Sequence, residues 1–369
     1  MVPPTVPDVL IAGAGPAGAS LALLLGRRGL RVVLVTGGGV GPWQLGEHLS
    51  PLGCHALMRI DPALLTGHLT CSGIDAAWGG SELQHTDYAV ESNGFGLLLD
   101  RRALDTAAIA RLASCNNVTV VNGRLVSLKR TRGCWTAQVR AAQAVSTLRA
   151  RFVVDATGRR SVLARALGAR RHRLDRLVAA VASFDLGDAA AAAPDEHARL
   201  LLEGAADGWW YTALLRGNRR IVAFLTDADL LGGADPQRWS RRLRLTEYVR
   251  RTLSPRARPA RLVGRPADSS ILSHVNGPGW AAVGEAALAL DPVSGSGLRC
   301  VFDDAIATAD VVTEALDGSG DALAARQGTL VEFFRRYLLG RQEIYGREMR
   351  WPDQLFWRRR HEASDQRPV

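Results

Sequence analysis

VLIAGAGPAGASLALLLGRRGLRVVLVT, residues 9–36, decides the fold of this 369-residue chain. An apolar run at Val9–Ala12 is followed by the glycine turn GAGPAG, by small and leucine residues over 19–28 that suit a buried helix, and by a second apolar run at 31–35. A strand, a turn, a helix and a second strand in this order predict a parallel sheet.

The turn GAGPAG matches the pattern GxGxxG. In that pattern the first glycine makes a tight turn, the second lets the backbone approach a pyrophosphate, and the third allows close packing of the helix. These positions are Gly13, Gly15 and Gly18, with Pro16 and Ala17 inside the turn. The flanking strand and helix favour a bound dinucleotide over a purely structural glycine turn, which stays the alternative.

The end of the second predicted strand departs from the usual dinucleotide pattern. An acidic residue normally binds a ribose hydroxyl there, but the sequence reads Val35, Thr36, Gly37. Thr36 can form a hydrogen bond, although a weaker one than a carboxylate. We therefore expect Thr36 to contact the adenosine end and to hold it loosely.

Later segments predict further strands and helices. The predicted strands lie at 118–126, 134–139, 151–155, 177–186, 199–203, 209–215, 219–226 and 280–283, and the predicted helices at 102–113, 236–253, from Leu298, and at 322–350, with a frayed tail at 358–360. Successive strands over 177–230, separated by turn residues, indicate an antiparallel sheet. The alanine run at 189–193 is interpreted as a surface loop.

The fold class is therefore α/β. We predict a Rossmann-like dinucleotide-binding domain with a parallel sheet, interleaved with an antiparallel-sheet substrate domain and followed by a C-terminal helical segment. The predicted boundaries are 1–68, 97–176 and 262–320 for the discontinuous first domain, 69–96 and 177–261 for the substrate domain, and 321–369 for the helical segment.

Composition excludes several classes of protein. Hydrophobic residues make up 47% and charged residues 22% of the chain, which argues against both a disordered and a membrane protein. The net charge is +10, almost all of it from arginine, since Lys129 is the only lysine. The arginines are dispersed and no nucleic-acid module occurs, so we expect no nucleic-acid partner. Internal carboxylates, a pyrophosphate and an acidic substrate or partner are the expected counter-charges.

Cysteine usage and the absence of targeting signals indicate a cytoplasmic protein. Five cysteines stand far apart, without a CxxC pair or a zinc-like grouping, so no metal site is predicted. The N-terminus has no basic region before its apolar stretch, and no segment has the pattern of a signal peptide or a membrane span.

Three later segments indicate which dinucleotide is bound. Leu99, Asp100 and Arg101 open a helix, residues 155–165 read DATGRRSVLAR, and residues 280–298 read WAAVGEAALALDPVSGSGL. Together with the first turn, and in this order, they resemble the FAD enzymes that include para-hydroxybenzoate hydroxylase and the flavin-dependent halogenases. The resemblance covers roughly residues 8–345.

The resemblance implies a set of cofactor contacts. Arg101 would reach the FAD phosphates, and Asp155 and Gly158 would pack near the cofactor. In VGEAA, Gly284 precedes Glu285, where the family usually has an aspartate that holds a ribityl hydroxyl. The remaining contacts would come from a loop along the flavin ring, with backbone N–H groups toward the pyrimidine edge, unless the loop is purely structural. Its residues are Pro292, Gly295, Gly297 and Leu298. Because Thr36 and Glu285 both depart from the pattern, we expect FAD that can dissociate.

Halogenation does not fit the sequence. Halogenases of this family carry a GE segment and a GWxWxIP box, which resemble GEHLSP at residues 46–51 and GWWYTALL at 208–215. Their reaction also needs a lysine shortly after the GE segment, and this chain has none there. Lys129 lies in a predicted strand instead.

CSGIDAAWGG at 71–80, GWWYTALL and FLTDAD at 224–229 look like segments of flavoproteins that modify tryptophan within a protein chain while tryptophylquinone cofactors mature. That resemblance implies a monooxygenase of group A type. NADH or NADPH would reduce FAD, dioxygen would give a C4a-hydroperoxide, and its distal oxygen would pass to an aromatic substrate, such as a protein- or carrier-bound tryptophan.

Candidate substrate residues follow from these segments. Trp78, Trp209, Trp210 and Tyr211 would supply apolar, stacking walls, unless they simply pack the core. Glu47 and His48 could bind the flavin or act on a substrate proton, although a lone histidine is often structural. Thr226 and Asp227 close a predicted strand, where we favour a turn cap over a substrate contact.

Two other functions stay open on the sequence alone. One is an FAD oxidase or dehydrogenase that forms a double bond without inserting oxygen. The other is a non-catalytic, flavin-binding partner of another polypeptide, which the basic balance and the long C-terminal helix would suit. No second GxGxxG exists for a nicotinamide cofactor, so the sequence does not choose between NADH and NADPH.

Overall fold

The structure is a computed structural model, and it describes residues 6–37, 46–91, 94–142, 144–187, 198–233, 235–254 and 258–362. The predicted loop at 189–193 lies outside these residues.

The strands of the described residues are numbered in chain order: β1 Val9–Ala12, β2 Val32–Thr36, β3 His48–Leu49, β4 Leu69–Cys71, β5 Gly73–Ala77, β6 Gln84–Asp87, β7 Gly96–Leu98, β8 Val118–Asn122, β9 Arg124–Thr131, β10 Cys134–Ala141, β11 Ala144–Ala150, β12 Phe152–Asp155, β13 Arg171–Arg173, β14 Leu177–Asp185, β15 Arg199–Ala205, β16 Gly208–Leu215, β17 Arg219–Asp227, β18 Pro259–Pro266, β19 Ser270–Leu272, β20 Asn276–Gly277, β21 Trp280–Ala282 and β22 Leu288–Ala289.

The α-helices are numbered likewise: α1 Pro16–Arg27, α2 Pro51–Ile60, α3 Tyr88–Glu91, α4 Arg101–Leu112, α5 Val162–Ala166, α6 Ala228–Leu231, α7 Pro236–Arg244, α8 Gly297–Leu316, α9 Asp321–Gly346 and α10 Leu355–Glu362.

Residues 9–36 contribute β1 and β2 to the centre of a six-stranded sheet. Its order is β20-β21-β12-β1-β2-β8, and the pairs β21–β12, β12–β1, β1–β2 and β2–β8 are parallel. All four residues of β1 are buried, as expected for a strand covered on both faces. Helices α1, α2, α4 and α8 pack on one face, and the meander β9–β11 with α9 packs on the other.

A seven-stranded sheet forms the second layer, in the order β18-β14-β17-β16-β15-β5-β6. Its pairs are antiparallel except β15–β5. Strand alternation divides its side chains between two clusters. One cluster contains Trp209 and the ends of α9 and α10, and the other contains Trp210 and Trp239 of α7.

These two sheets and the C-terminal helices confirm the predicted α/β fold class. The strands of the seven-stranded sheet come from the two stretches assigned to the substrate domain, except that β18 crosses the predicted boundary at residue 261. The exact domain boundaries stay a prediction.

Four sequence predictions need correction. Helix α2 was missed, although Ser50 caps it by accepting a hydrogen bond from the Gly53 N–H at 3.3 Å and Pro51 is its first residue. The predicted strand at 118–126 is broken at Gly123, so that β8 joins the parallel sheet and β9 joins the meander. The basic helix predicted over 236–253 ends at Arg244.

The fourth correction concerns the C-terminal tail. It forms α10 rather than a frayed end, because Asp227 is buried and binds Arg360 at 2.9 Å and Arg359 at 2.9 Å. Asp227 therefore anchors a helix through its side chain and makes no side-chain cap at α6. Thr226 is also buried, and its hydroxyl donates to the carbonyl of Asp207 at 2.5 Å.

Internal carboxylates take up part of the arginine charge, as the sequence suggested. Buried Asp61 binds both Arg27 and Arg111 at 2.7 Å. In the described part of the chain, no helix combines the length and the apolar character needed to cross a bilayer.

Candidate active site

The glycine turn lies where the carboxyl ends of β1, β12 and β21 meet. Gly13 has φ +109°, and a Cβ there would lie 2.3 Å from the Ala156 carbonyl oxygen. A Cβ on Gly18 would lie 1.9 Å from the Gly13 carbonyl oxygen, so this glycine permits the close contact between helix and turn. Gly15 has no atom within 4 Å of its Cβ position. Its backbone therefore stays open to a ligand at the N-terminus of α1.

A cavity of about 510 Å³ opens beside this turn and extends to the seven-stranded sheet. Fifteen of the predicted site residues line it, and these are Gly13, Gly15, Pro16, Ala17, Glu47, His48, Arg101, Gly158, Trp209, Tyr211, Glu285, Pro292, Gly295, Gly297 and Leu298. One continuous space thus joins the predicted cofactor residues to the predicted substrate wall.

Glu47, which precedes β3, and Tyr211 of β16 meet in the cavity wall. Both side chains are buried, and the Tyr211 hydroxyl donates a hydrogen bond of 2.9 Å to Glu47 Oε2. Burial raises the pKa of the Glu47 carboxyl, against the hydrogen bonds and the nearby Arg101 charge that lower it. Burial also raises the pKa of the Tyr211 hydroxyl, and the neighbouring Glu47 charge adds to that rise. The pair places a buried carboxyl and a buried hydroxyl together in the cavity wall.

His48 faces the same cavity from β3. Its Nε2 lies 2.7 Å from the Tyr88 hydroxyl, and its Nδ1 is buried without a hydrogen-bond partner among the described residues. Burial lowers the pKa of the imidazole to about 4, so the ring is neutral near pH 7. A Cβ placed on Gly295 would lie 4.0 Å from Nδ1. This free nitrogen therefore lies beside the glycine loop that follows Pro292.

Arg101 supplies a cation to the cavity wall. It is the first residue of α4, which Asp100 caps by accepting from the N–H groups of Arg102 and Ala103. The side chain is 9% exposed, and its Nη2 lies 3.4 Å from Asp105. A Cβ on Gly46 would lie 2.8 Å from its Nη1, so Gly46 makes room for the guanidinium. A guanidinium held at a cavity wall suits a phosphate.

The sequence did not single out Arg159, which holds the VGEAA turn. Its Nε lies 3.1 Å from Glu285 Oε1, and it also donates to the carbonyls of Asp268 at 2.6 Å and Leu290 at 3.2 Å. Arg159 lines the cavity beside Glu285. The signal was present in DATGRR, where an arginine follows the glycine directly.

Trp210 does not line the cavity, which corrects its predicted role. Neighbouring residues of a strand point to opposite faces. Trp209 and Tyr211 therefore face the cavity, whereas Trp210 packs against Phe224 and Trp239 at centroid distances of 4.7 and 5.2 Å.

Trp78 is likewise a packing residue. Its ring lies 6.1 Å from Trp209 and 5.5 Å from Trp357, and its Nε1 donates to the carbonyl of Ile344 at 2.8 Å. It supports the wall from behind and does not line the cavity.

Four predicted cofactor residues also lie outside the cavity lining, and Gly18, whose packing role is given above, is one of them. Asp155 is fully buried and its carboxylate accepts from Thr157 and from the Ala164 N–H, so it fixes the DATG turn from within. Gly284 donates its N–H to Asp304 at 2.7 Å and packs the VGEAA turn against α1.

Thr36 is the fourth. It ends β2, opposite Asn122, away from the cavity. Residues 38–45, which follow it, lie outside the described part of the chain.

Helix α9 anchors the glycine loop from behind, a contact that the sequence did not predict although it predicted the helix. Asp291 is fully buried; one of its oxygens accepts from the Val293 N–H at 3.0 Å, and the other accepts from Arg341 at 3.0 Å and from the Tyr345 hydroxyl at 2.9 Å. Trp209 in turn donates its Nε1 to the Tyr345 hydroxyl at 3.1 Å. Tyr345 thus links the loop to the wall that carries Trp209.

These residues fit FAD on three observations. Gly15 leaves the backbone at the start of α1 open, Arg101 presents a cation, and the buried Nδ1 of His48 faces the loop at Gly295. Among the described residues, no cluster of histidine, cysteine and carboxylate side chains could hold a metal ion.

The chain is similar to known flavin-dependent proteins. Residues 7–37 match the family described as FAD binding domain. LodB of Marinomonas mediterranea, a putative FAD-dependent oxidoreductase, is 30% identical over 97% of each chain.

Among solved structures, the peptidyl tryptophan dihydroxylase QhpG, essential for tryptophylquinone cofactor biogenesis, has a TM-score of 0.78 at 24% identity, over 99% of this chain and 81% of its own. The myxobacterial chondrochloren halogenase CndH has a TM-score of 0.83 at 23% identity, over 97% of this chain and 86% of its own. At these identities the two structures show a shared fold.

Proposed function

Because the chain belongs to the family of FAD-dependent oxidoreductases that includes LodB, we propose that it is a monooxygenase that hydroxylates a tryptophan side chain held in a polypeptide. The family confirms the resemblance inferred from the sequence, FAD as the cofactor, and the enzyme class of FAD-dependent oxidoreductase. The similarity to QhpG, a peptidyl tryptophan dihydroxylase, supports the choice of substrate.

The observation that carries the proposal is the single cavity in which the glycine turns and the aromatic wall face each other. Leu200, Leu202 and Trp209 give an apolar surface on the substrate side. An indole ring that packs there would bury its faces against apolar side chains and exclude water. The Tyr211–Glu47 pair is then the polar group next to the guest.

On the cofactor side, each group has a proposed task. The open N-terminus of α1 at Gly15 and the guanidinium of Arg101 would hold the pyrophosphate. Glu285, fixed by Arg159, would face the ribityl chain. The loop from Pro292 to Gly297 would face the flavin ring, where Gly295 with φ +60° turns the backbone.

When bound, FAD supplies the redox chemistry with dioxygen, and we propose NADH or NADPH as the reductant. The protein orients the substrate ring and shields it from water. Oε2 of Glu47, at the buried end of the hydrogen bond from Tyr211, would take the proton that the indole loses on hydroxylation. Nδ1 of neutral His48 would provide a second hydrogen-bonding atom at the same wall.

A spectrum and a product mass test the function. The purified protein, with added FAD, should show a flavin spectrum that NADH or NADPH bleaches. Turnover with a tryptophan-containing polypeptide should then add oxygen to the tryptophan. Loss of two hydrogens would instead assign an oxidase or dehydrogenase, and no consumption of reductant with the polypeptide present would assign a non-catalytic partner protein.

A further inference from the structure

The arginines are not evenly dispersed along the chain, contrary to the interpretation of the sequence, because the segment formed by residues 236–266 carries a large excess of positive charge. It contains ten arginines and one acidic residue, Glu247. Two of the described arginines bind carboxylates, since Arg242 pairs with Asp207 and Arg251 with Glu247. The exposed face of the segment still includes arginines of α7, of the turn at Val249–Thr252, of the residue before β18 and of β18 itself, namely Arg238, Arg241, Arg244, Arg250, Arg258 and Arg261. We call this face the basic surface.

Strand β18 forms the sheet edge of the basic surface. It pairs with β14 on one side, and within the described part of the chain no strand pairs with its other side. A sheet edge presents backbone N–H and C=O groups that can bind another extended chain. Pro259 and Pro266 delimit the strand, and Arg261 and Gly264 between them are exposed. The edge is therefore accessible over its central residues.

The register of β18 connects this edge to the cavity. Arg265 lies opposite Ala179, and Val263 lies opposite Val181, so these residues share one face of the sheet. Ala179 and Arg265 both line the cavity, together with Pro266 and Ala267. Arg261 lies further from the cavity along the strand, where the pairing of β18 with β14 becomes irregular after Leu262. The strand thus leads from the basic surface to the cavity.

We propose that β18 is the docking strand for an acidic, extended segment of the polypeptide substrate, which adds to the sheet edge and brings its tryptophan to the cavity. This rests on the proposed function, whose substrate class it defines. Charge complementarity with the arginines selects an acidic segment, and only a polypeptide can also pair with the free backbone edge. An anionic membrane and a single-stranded nucleic acid are the other anionic partners, and Leu245, 86% exposed, is the apolar side chain of this surface that a membrane would use.

A binding experiment tests the proposal without turnover. The probe is a short labelled peptide in which glutamate and valine alternate around one tryptophan, with a lysine-for-glutamate peptide as the charge control. A third peptide, N-methylated at alternate residues on either edge, keeps the charges but cannot form the backbone ladder. Fluorescence anisotropy is measured with the full-length protein and with the variant Arg258→Glu/Arg261→Glu. The variant Arg149→Glu is the matched control, because it reverses an exposed arginine on β11, an edge strand of another sheet.

We expect the double variant to bind the acidic peptide roughly tenfold more weakly and Arg149→Glu to bind it as the wild type does. N-methylation should weaken binding as well, and added salt should reduce it. Equal binding of the lysine peptide, or no effect of the double variant, would overturn the docking strand. The protein could instead bind phosphatidylserine vesicles or oligo-deoxythymidine more tightly than the acidic peptide, with this binding lost in the double variant. That result would overturn the docking strand in favour of a membrane or a nucleic acid. Acidic-peptide binding without oxygenation would leave docking intact and refute the monooxygenase.

Discussion

The Tyr211 hydroxyl lies 2.9 Å from Glu47 Oε2, and this bond joins the seven-stranded sheet to the segment that follows the cofactor-binding domain's second strand. The two residues are 164 positions apart in sequence. Both side chains are buried, so a partner left alone could not readily form a hydrogen bond with water instead. Removal of either side chain should therefore lower the free energy of unfolding. The bond couples the substrate wall to the cofactor side of the cavity.

Replacement of Tyr211 by phenylalanine should therefore leave the Glu47 carboxylate with one donor fewer. We expect the pKa of Glu47 to rise further and the free energy of unfolding to fall by about 1–3 kcal/mol. Urea denaturation at neutral pH measures the loss. Tyr248→Phe, which removes a hydroxyl bonded to the Ser81 carbonyl at the surface, is the control and should cost less than about 1 kcal/mol. Equal losses of unfolding free energy would show that the buried hydrogen bond stabilises the fold no more than the one at the surface.

Two variants of the glycine turn should affect FAD binding and folding separately. A methyl group on Gly15 meets no protein atom within 4 Å, so Gly15→Ala should fold as the wild type does but hold FAD more weakly, because the methyl occupies the approach to the backbone. A methyl on Gly18 would lie 1.9 Å from a carbonyl oxygen, so Gly18→Ala should lower the melting temperature. Flavin absorbance after gel filtration and a thermal scan measure the two effects.

Gly328→Ala is the control for both variants, since Gly328 lies within α9 with open space around its Cβ position. It should keep the flavin content, and its melting temperature should not fall, because alanine favours a helix more than glycine does. Full retention of FAD by Gly15→Ala would mean that the pyrophosphate lies elsewhere.

His48 should make stability fall in mild acid. Its pKa is about 4 in the folded protein and about 6.5 in an unfolded chain, so the unfolded state binds the proton first as the pH falls. The resulting stability is present above pH 6.5 and is lost toward pH 4. Between pH 6.5 and 4.5 we expect His48→Gln to lose about 2 kcal/mol less than the wild type. Denaturation at several pH values measures this.

The control is His55→Gln, which changes an exposed histidine of α2 and should keep the wild-type pH profile. If His48→Gln also kept that profile, the histidine would not be held neutral by burial.

Asp227 should be essential for docking α10. Asp227→Ala would leave the buried guanidinium of Arg360 without its carboxylate, which costs about 3–5 kcal/mol. Asp229→Ala removes a half-exposed partner of Arg359 and should cost less than about 1 kcal/mol. Chemical denaturation of both variants measures the difference. Similar losses would place the stabilisation of α10 in its apolar contacts instead.

The sequence predicted the parts of the site that depend on local pattern. Gly13, Gly15 and Gly18 lie where the GxGxxG spacing puts them, and the loop at Gly295 faces the same cavity. The prediction for Trp210 was wrong because it treated the aromatic residues of GWWYTALL as one surface. Neighbouring residues of a strand point to opposite faces, so Trp209 and Trp210 lie in different clusters.

Ion pairs between residues far apart in sequence could not be predicted from a local sequence pattern. Arg341 reaches Asp291 across 50 residues, and Arg359 and Arg360 reach Asp227 across more than 130. A run of arginines near a chain end is typical of a solvated tail, and only the buried carboxylate that faces it makes it a helix anchor.

The origin of the oxygen in the product tests the proposed monooxygenase most directly. The FAD-loaded protein, with NADH or NADPH and the acidic tryptophan peptide, is incubated under oxygen-18 gas in ordinary water, and the peptide is analysed by mass spectrometry. We predict that the tryptophan gains labelled oxygen from the gas. Unlabelled oxygen, a loss of two hydrogens or an unchanged tryptophan in the bound peptide would contradict the proposed function.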